Sequence, residues 1–160
     1  MTRRDLRVGV IGLGALGLPM AANLRRAGLP LRVHTRSRRP EHDPSLQGSI
    51  ACATPAEAAT GVDILLICVS DNAAVEAVLF GANGASGQLA AGSVVVDCST
   101  IAPATAIASA KRLARPGVSC VYSLVTCGTV GAKAVSLTVL VGRQPPASER
   151  ARPLLEIIGG

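Results

Sequence analysis

The sequence predicts an α/β fold built on a doubly wound, mostly parallel sheet, and three observations support this prediction. Apolar runs of strand length alternate with amphipathic helical patterns along the whole chain, and right-handed crossovers build that order into a parallel sheet. One run, Asp63–Val69, is suited to a strand buried on both faces between two helix layers. The first apolar run leads directly into a glycine-rich turn at residues 12–17, and a helical pattern follows.

The elements in the first part of the chain have clear local signals. Apolar residues recur at four-residue spacing from Leu16 to Leu24, which predicts a helix with one buried stripe that ends before Gly28. Pro44 interrupts the segment after the second strand, so any helix there is short. The capping box Thr54-Pro55-Ala56-Glu57 starts another short helix. The elements predicted here are strands Arg7–Ile11 and Leu31–Thr35 and helices Ala15–Ala27 and Thr54–Gly61.

The rest of the chain continues the alternation of strands and helices. Asp71 places an acid in the first turn of a helix, where the helix dipole favours a negative charge. Short Val-, Leu- and Ile-rich runs are typical of buried strands. The elements predicted here are strands Asp63–Val69, Ser93–Asp97, Val118–Tyr122 and Leu137–Val141 and helices Asp71–Leu79, Pro103–Ala114 and Ala147–Ile158.

Length and composition fit a single domain that spans residues 1–160. The chain is 49% hydrophobic but holds only one Tyr and one Phe, so its core consists of Val, Leu, Ile and Ala. A chain of this length buries a sizeable core. No internal repeat, low-complexity stretch or linker-like break divides it.

The positive charge is concentrated at the N-terminal end. The formal net charge is +6, and residues 1–40 hold nine Arg and a single acid, Asp5. Such a run is usually a solvated basic face, and a bound phosphorylated cofactor explains part of it. A nucleic-acid partner is not expected, because the basic cluster has no aromatic residue to stack on bases and no recognised binding module.

The cysteines and the N-terminus predict a cytoplasmic protein without a metal site. The five cysteines have no metal-ligand spacing, and their odd number argues against a disulfide framework, so buried thiols in a reducing compartment are expected. Arg3 and Arg4 precede an apolar stretch, Val8–Leu24, as in a secretory signal, but five of its residues are Gly or Pro. We interpret it as strand, turn and helix. No other segment is long enough to span a membrane.

The segment Gly12-Leu13-Gly14-Ala15-Leu16-Gly17 has the spacing of a dinucleotide-binding turn. In that motif Gly12 permits the tight turn, Gly14 lets the backbone approach a pyrophosphate, and Gly17 lets the helix pack close to the strand. The N-terminus of the following helix then faces the pyrophosphate. An ordinary glycine-rich turn is the alternative interpretation. The strand before the motif, the helix after it and a ribose-recognition segment downstream favour the dinucleotide site.

Residues 35–39 predict NADP rather than NAD as the cofactor. NAD sites carry an acid at the end of the second strand that holds the ribose 2′-hydroxyl, and a carboxylate there would repel a 2′-phosphate. This chain has Thr35, Arg36 and Ser37 at that place, followed by two further Arg residues. Arg36 can pair with the 2′-phosphate and Ser37 can donate a hydroxyl to it. Alternatively, one or both of Arg38 and Arg39 merely solvate a loop.

Several segments together resemble the β-hydroxyacid dehydrogenases. This family includes 3-hydroxyisobutyrate dehydrogenase, tartronate semialdehyde reductase and the glyoxylate/succinic semialdehyde reductases, and is akin to 6-phosphogluconate dehydrogenase. The resemblance covers the chain in order, which is more specific than the glycine motif alone. The segments that carry it are Gly12–Leu24, Thr35–Ser37, Thr54–Glu57, Cys68–Asp71 and Val96–Ile101.

The resemblance implies roles for further residues. Val69 and Ser70 would lie on the ribose side of the cofactor, and Thr100 would lie near its nicotinamide. Ser99 would lie near a small carboxylate-bearing substrate. Residues 122–137 correspond to the family's substrate loop, in which the hydroxyl of Thr126 would meet the substrate carboxylate. The substrate-binding residues implied in this way are Ser99, Thr126, Cys127 and Gly128.

The chain departs from the family pattern within that loop and in length. Cys127 and Val135 replace glycines, and Tyr122 and Leu124 replace Asp and Pro, which puts substrate binding in doubt. Family members continue into an all-α domain, absent from these residues, that supplies the dimer interface and the catalytic Lys.

No catalytic residue is therefore assigned within the chain. Lys111 and Lys133 do not match the family's catalytic motif. A homo-oligomer is expected only where the all-α domain is present. His34 and His42 lack a Ser or Cys partner at a recognisable motif, and both are expected to be exposed.

Three functions follow from these patterns, in order of preference. The first is the NADP-binding domain of an oxidoreductase that transfers hydride between NADP(H) and a small hydroxyacid or semialdehyde. The second is a truncated, catalytically inactive module that holds NADP. The third, a basic nucleic-acid-binding protein, is the least favoured.

Overall fold

The computed structural model describes residues 5–126, 128–142 and 145–159, and it has the α/β fold that the sequence predicts. Within these residues the sheet has the strand order β3-β2-β1-β4-β5-β6-β7, and all neighbours are parallel except β6 and β7. The strands are β1 (Val8–Ile11), β2 (Leu31–His34), β3 (Ile50–Ala51), β4 (Ile64–Ile67), β5 (Val94–Asp97), β6 (Ser119–Thr126) and β7 (Thr138–Val141). The α-helices are α1 (Gly17–Arg26), α2 (Pro55–Ala59), α3 (Asn72–Phe80), α4 (Pro103–Ala114), α5 (Gly128–Ala134) and α6 (Pro145–Ile158), and 3₁₀ helices span Arg39–His42, Pro44–Leu46 and Ala85–Gln88.

Alternating strand residues pack into two helix layers, one on each face of the sheet. Ile64 and Leu66 on β4 belong to a core cluster that includes residues of α1, α5 and α6. Leu65 and Ile67 belong to a second cluster with residues of α2, α3 and α4. All four residues of β4 are buried, which confirms the prediction of a strand covered on both faces.

An ion pair joins the starts of β1 and β4, the two strands on which the candidate site is built. The guanidinium of Arg7 donates to both carboxylate oxygens of Asp63, at 2.9 and 3.1 Å, and the backbone N–H of Arg7 donates to the same carboxylate at 3.0 Å. These hydrogen bonds lower the pKa of Asp63. The two strands are thereby held in register from Val8 paired with Ile64 onward.

The structure corrects the predicted elements near the C-terminal edge of the sheet. β6 continues beyond the predicted end at Tyr122 to Thr126 and pairs antiparallel with β7. Helix α5 lies within residues for which the sequence suggested only a loop. Its small residues carry no apolar periodicity, and tertiary contacts hold it in place: Ala132 is buried in the cluster that contains α1, and the side-chain amide of Asn23 donates to its carbonyl oxygen at 2.8 Å.

Val135, which follows α5, has a backbone conformation that disfavours its side chain. Its φ of 56° is in the left-handed region, where glycine commonly follows the end of a helix. A β-branched residue at positive φ is strained, by about 1–2 kcal/mol on the general scale for residues with a Cβ. Val135 is the residue that replaces a glycine of the resembled family.

We expect Val135→Gly to raise the free energy of unfolding by about 0.5–1 kcal/mol. The relief of strain exceeds the greater freedom that glycine gains in the unfolded chain. Urea unfolding of both proteins measures the difference. Val130→Gly is the control, because Val130 lies within α5 at ordinary helical φ and is 79% exposed. That change should instead lower the free energy of unfolding by about 0.3–0.5 kcal/mol, the difference in helix propensity between Val and Gly. A destabilised Val135→Gly variant would contradict the assignment of strain.

Within the described ranges no helix is long and apolar enough to cross a membrane. The His, Cys, Asp and Glu residues of the same ranges form no group of three or more that could hold a metal ion. The described cysteines are free thiols: Cys52 and Cys98 are buried, and Cys68 and Cys120 are partly buried. Cys127 lies outside the described residues.

Candidate functional site

A cavity of about 490 Å³ lies at the carboxyl ends of β1, β2 and β4. β1 has β2 on one side and β4 on the other, so the direction in which the strands are added reverses at this point. Open α/β sheets bind their ligands in the crevice at such a reversal. The structure brings together at this cavity nine of the predicted cofactor residues: Gly12, Gly14, Ala15, Leu16, Gly17, Thr35, Arg36, Val69 and Ser70.

Gly12 and Gly17 are required by the packing of the turn. Gly12 has a φ of 94°, and a Cβ at this residue would collide with the carbonyl oxygen of Cys68. A Cβ on Gly17 would collide with the carbonyl oxygen of Gly12. The first contact lets the turn approach the end of β4, and the second brings the start of α1 against the turn.

Gly14 differs from its two neighbours in the motif, because nothing in the protein requires it to be glycine. It is exposed, and a Cβ built on it would meet no atom within 4 Å. Gly14 itself lines the cavity, so the added Cβ would lie at the cavity wall. The open space beside Gly14 therefore suits a ligand that lies against the backbone of the turn.

The N-terminus of α1 is suited to an anion. No side chain caps it, and its first turn contains no acid. Backbone N–H groups and the helix dipole make such an end favourable for a phosphate. The glycine turn and α1 thus fit the pyrophosphate of a dinucleotide.

Thr35 and Arg36 extend this site to the end of β2. The hydroxyl oxygen of Thr35 accepts the backbone N–H of Leu13 at 3.2 Å, which ties β2 to the glycine turn. Leu13 itself is buried and contributes to the core instead of lining the cavity. Arg36 is exposed and lines the cavity, whereas Ser37 is exposed beside it and is not a lining residue.

Glu41, which the sequence analysis gave no role, lies behind this segment. Its side chain is fully buried, and its carboxylate accepts the backbone N–H of Thr35 at 2.9 Å and the Nε–H of Arg38 at 2.6 Å. Arg38 has a φ of 63°. Burial and these two hydrogen bonds leave the carboxylate turned away from the cavity, so Glu41 is not placed to hold a ribose hydroxyl.

The expectation that His34 is exposed is wrong. His34 is 9% exposed, since it ends β2 and packs beside β3, and its Nδ1 donates to the carbonyl oxygen of Cys52 at 2.9 Å. The same nitrogen is 3.7 Å from a carboxylate oxygen of Glu41. His34 nevertheless contributes to the cavity lining. The expectation for His42, which is exposed, is confirmed.

The opposite wall of the cavity is largely apolar and comes from the segment after β4 and from α3. Ala74, Ala77 and Val78 on α3 line it at spacings of three and four residues, so one helix face meets the cavity. These three residues were not predicted as part of the site, although the spacing of small apolar residues in this helix is visible in the sequence. Burial, assisted by the charge of Asp97, raises the pKa of Cys68 to about 11, so this thiol is neutral at neutral pH.

Of the residues implied in substrate binding, Ser99, Thr126 and Gly128 are not among those that line the cavity. Ser99 is buried, and its hydroxyl oxygen accepts the backbone N–H of Val69 at 3.0 Å. Thr100, implied in nicotinamide contact, is exposed next to it. Thr126 ends β6 and Gly128 begins α5, and both are exposed; Cys127 lies outside the described residues. These assignments, including that of Thr100, stay predictions.

The carboxyl of Asp97 at the end of β5 helps to shape this segment. It accepts the backbone N–H of Ser99 at 2.9 Å. Burial raises the pKa of Asp97, and the hydrogen bonds from Ser99 oppose that rise.

Neither lysine of the chain lies at the cavity described above. Lys111 is exposed on α4, and Lys133 on α5 lines a separate cavity with Arg26 and Asp43. A further cavity of about 630 Å³ between β7 and α6 contains none of the predicted site residues.

Comparisons with known proteins agree with the site. Residues 7–160 match the family model described as the NAD binding domain of 6-phosphogluconate dehydrogenase. The chain is 36% identical over 155 residues to 2-hydroxy-3-oxopropionate reductase of Escherichia coli, and the match covers 96% of this chain and 52% of that protein. It is 33% identical over 153 residues to the NAD-dependent L-serine dehydrogenase of Pseudomonas aeruginosa, with coverage of 96% and 51%. The solved structure of Psf3 in complex with NADP+ and 2-OPP has a TM-score of 0.89 and 33% identity, and the match covers 95% of this chain and 54% of that one.

The chain spans about half the length of the curated relatives it matches. The match includes β1, the glycine turn, Arg36 and the ends of β2 and β4, which together form the cavity. The resemblance drawn from the sequence is confirmed, as is the doubly wound, Rossmann-type sheet. The chain belongs to the family of the NAD-binding domain of 6-phosphogluconate dehydrogenase, and it is an NAD(P)-binding domain of the hydroxyacid dehydrogenase type.

Proposed function

We propose that this domain binds NADP in preference to NAD and serves an oxidoreductase that transfers hydride between NADP(H) and a small hydroxyacid or semialdehyde. The observation that carries the cofactor preference is Arg36, a cation that lines the cavity at the end of β2. The acid nearest to it in the sequence, Glu41, is buried and fully engaged. A cation without an accessible acid favours a 2′-phosphate over a 2′-hydroxyl.

The chain's own residues would bind and orient the dinucleotide. The backbone of the glycine turn and the start of α1 would hold the pyrophosphate, with Gly14 giving it room. Arg36 and Ser37 would meet the 2′-phosphate, and Val69 and Ser70 would lie on the ribose side. The apolar face of α3 would cover the adenine ring, and Thr100 would lie near the nicotinamide. The bound cofactor would supply the hydride, while the protein supplies position and electrostatics.

The proposed substrate is a small molecule with a carboxylate. Ser99, Thr126, Cys127 and Gly128 would contact it, as the resemblance implies. Two relatives described above are named for 2-hydroxy-3-oxopropionate and for L-serine, which are both small molecules with a carboxylate. The family's proton-donating Lys has no counterpart in these residues, so we propose that residues 1–160 bind NADP without turnover. A domain that only holds NADP is the alternative.

We propose no nucleic-acid or membrane partner for the domain, and we place it in the cytoplasm, in keeping with its free thiols. Leu124 and Leu140 lie opposite each other on β6 and β7 and are 38% and 57% exposed. An apolar surface of this kind favours weak self-association of the isolated domain. We propose a stable homo-oligomer only where the all-α domain of the family is also present.

Calorimetric titration of residues 1–160 with NADPH and NADH tests the cofactor, and loss of NADPH absorbance with glyoxylate, succinic semialdehyde and tartronate semialdehyde tests turnover. We expect tighter binding of NADPH, a preference that weakens at high salt, and no measurable reduction. Equal affinities for the two cofactors would contradict the NADP preference. Turnover at about 10 s⁻¹, a typical kcat, would show that these residues contain a proton donor.

A further inference from the structure

Arg36 and Ser37 occupy the two central positions of a tight turn. The backbone N–H of Arg38 donates to the carbonyl oxygen of Thr35 at 3.1 Å and closes this turn. The conformation of the turn therefore sets the backbone position of Arg36, and with it the point at which its side chain leaves the chain beside the cavity. Arg38 has a φ of 63°, which residues with a side chain rarely adopt, so the turn needs support from outside.

Glu41 gives that support, because its carboxylate bonds to both ends of the turn. One oxygen accepts the N–H of Thr35, the first residue of the turn, at 2.9 Å. The other accepts the Nε–H of Arg38, the last residue, at 2.6 Å. The Glu41 side chain is fully buried, so water does not compete for its oxygens.

Thr35 connects this clamp to the glycine turn. Its N–H is held by Glu41, and its hydroxyl oxygen accepts the N–H of Leu13 at 3.2 Å. A continuous path of hydrogen bonds thus runs from Arg38 through Glu41 and Thr35 to the turn that would hold the pyrophosphate. This path ties the turn that carries Arg36 to the glycine turn.

We propose that Glu41 is a positioning residue that sets the preference for a cofactor with a 2′-phosphate, by holding the turn that presents Arg36. The inference rests on the proposed function of the domain as an NADP site. Glu41 acts through Arg36 and makes no contact with the cofactor. Nothing in the sequence marks it, because it lies beyond the turn and belongs to a 3₁₀ helix, Arg39–His42.

Positioning by Glu41 and simple charge repulsion predict opposite effects on NADPH affinity when Glu41 is removed. Glu41 is negatively charged when it pairs with Arg38, and a negative charge near the cavity repels a 2′-phosphate. If its charge alone mattered, its removal would tighten NADPH binding. If Glu41 positions Arg36, its removal weakens NADPH binding, because the guanidinium must be ordered at a cost when the cofactor binds.

The test compares wild type, Glu41→Ala and Glu41→Gln by calorimetric titration with NADPH and NADH. We expect Glu41→Ala to weaken NADPH binding about tenfold and NADH binding less than about twofold, since the 2′-hydroxyl makes no ion pair with Arg36. Glu41→Gln keeps a carbonyl oxygen for the N–H of Thr35, but its NH2 group then faces the Nε–H of Arg38, so both the charge and the hydrogen bond that hold Arg38 are lost. It should restore most of the preference for NADPH, with a loss of about threefold.

Two further measurements separate positioning from folding and from net charge. Amide hydrogen exchange without cofactor should be faster at Thr35 and Arg38 in Glu41→Ala than in wild type, while β1 and β4 keep their protection. Thermal unfolding identifies the temperature range in which each variant is folded. Glu76→Ala is the matched control, because Glu76 is an exposed acid that pairs with Arg112 away from the turn. It changes the net charge equally and should leave both affinities unchanged.

Each outcome decides the question. An unchanged or increased preference for NADPH in both Glu41 variants would overturn the role of Glu41, even where wild type prefers NADPH. Equal binding of the two cofactors by wild type would overturn both this inference and the proposed NADP preference. A loss of preference in Glu76→Ala of the same size would assign the effect to net charge and overturn the positioning role.

Discussion

Gly14→Val is expected to abolish binding of NADPH, with a loss of at least about a hundredfold in affinity, while the domain stays folded. Gly14 lines the cavity at the place where the pyrophosphate would approach the backbone, and the valine side chain would occupy that place. Among the described residues, no atom beyond the two chain neighbours of Gly14 lies within 4 Å of the added Cβ, so the fold has room for it. Calorimetric titration measures the affinity, and thermal unfolding confirms that the variant is folded.

Two other glycine variants serve as controls for this result. Gly87→Val adds the same side chain at another exposed glycine with nothing within 4 Å of the added Cβ, outside the cavity, and should leave the affinity for NADPH unchanged. Gly17→Ala places a Cβ against the carbonyl oxygen of Gly12, and it should lower the free energy of unfolding even without cofactor. If Gly14→Val bound NADPH as wild type does, the motif would be only a structural turn.

Arg36→Asp is expected to reverse or erase the preference for NADPH over NADH. The change removes a charge-assisted contact to the 2′-phosphate, which contributes roughly 1.5–3 kcal/mol, and places a carboxylate where it repels that group. NADPH binding should therefore weaken by more than about tenfold. The new carboxylate can accept a hydrogen bond from the 2′-hydroxyl of NADH, as the acid of NAD sites does. Titration with both cofactors at low and high salt measures the effect.

Arg39→Asp is the matched control for this variant. Arg39 is exposed on the same segment, does not line the cavity, and its replacement changes the net charge equally. We expect less than about a threefold change in either affinity, since an exposed and screened charge contributes little. An effect of Arg39→Asp as large as that of Arg36→Asp would assign the preference to the general field of the basic segment.

The fold and the centre of the candidate site, the cavity at the glycine turn, could be predicted from the sequence, because short-range patterns carry that information. The apolar runs that became β1, β4 and β5 have compositions typical of a strand covered on both faces, and turn signals bound them at strand length. The glycines at residues 12 and 17 are demanded by contacts within the turn and with the end of β4. Local chemistry thus specified strand, turn and helix, and the topology of parallel sheets placed them beside β2 and β4.

Helix α5, the burial of His34 and the hydrogen bonds of Glu41 were decided by tertiary structure alone. α5 consists largely of small residues without periodicity, and its packing against α1 holds it in place. His34 is polar, but the carbonyl oxygen of Cys52, which follows β3, and the carboxylate of Glu41 offset the cost of its burial. Glu41 bonds to a turn that precedes it only after the 3₁₀ helix folds the chain back. In each case the stabilising group comes from another element, so no local pattern of residues encodes it.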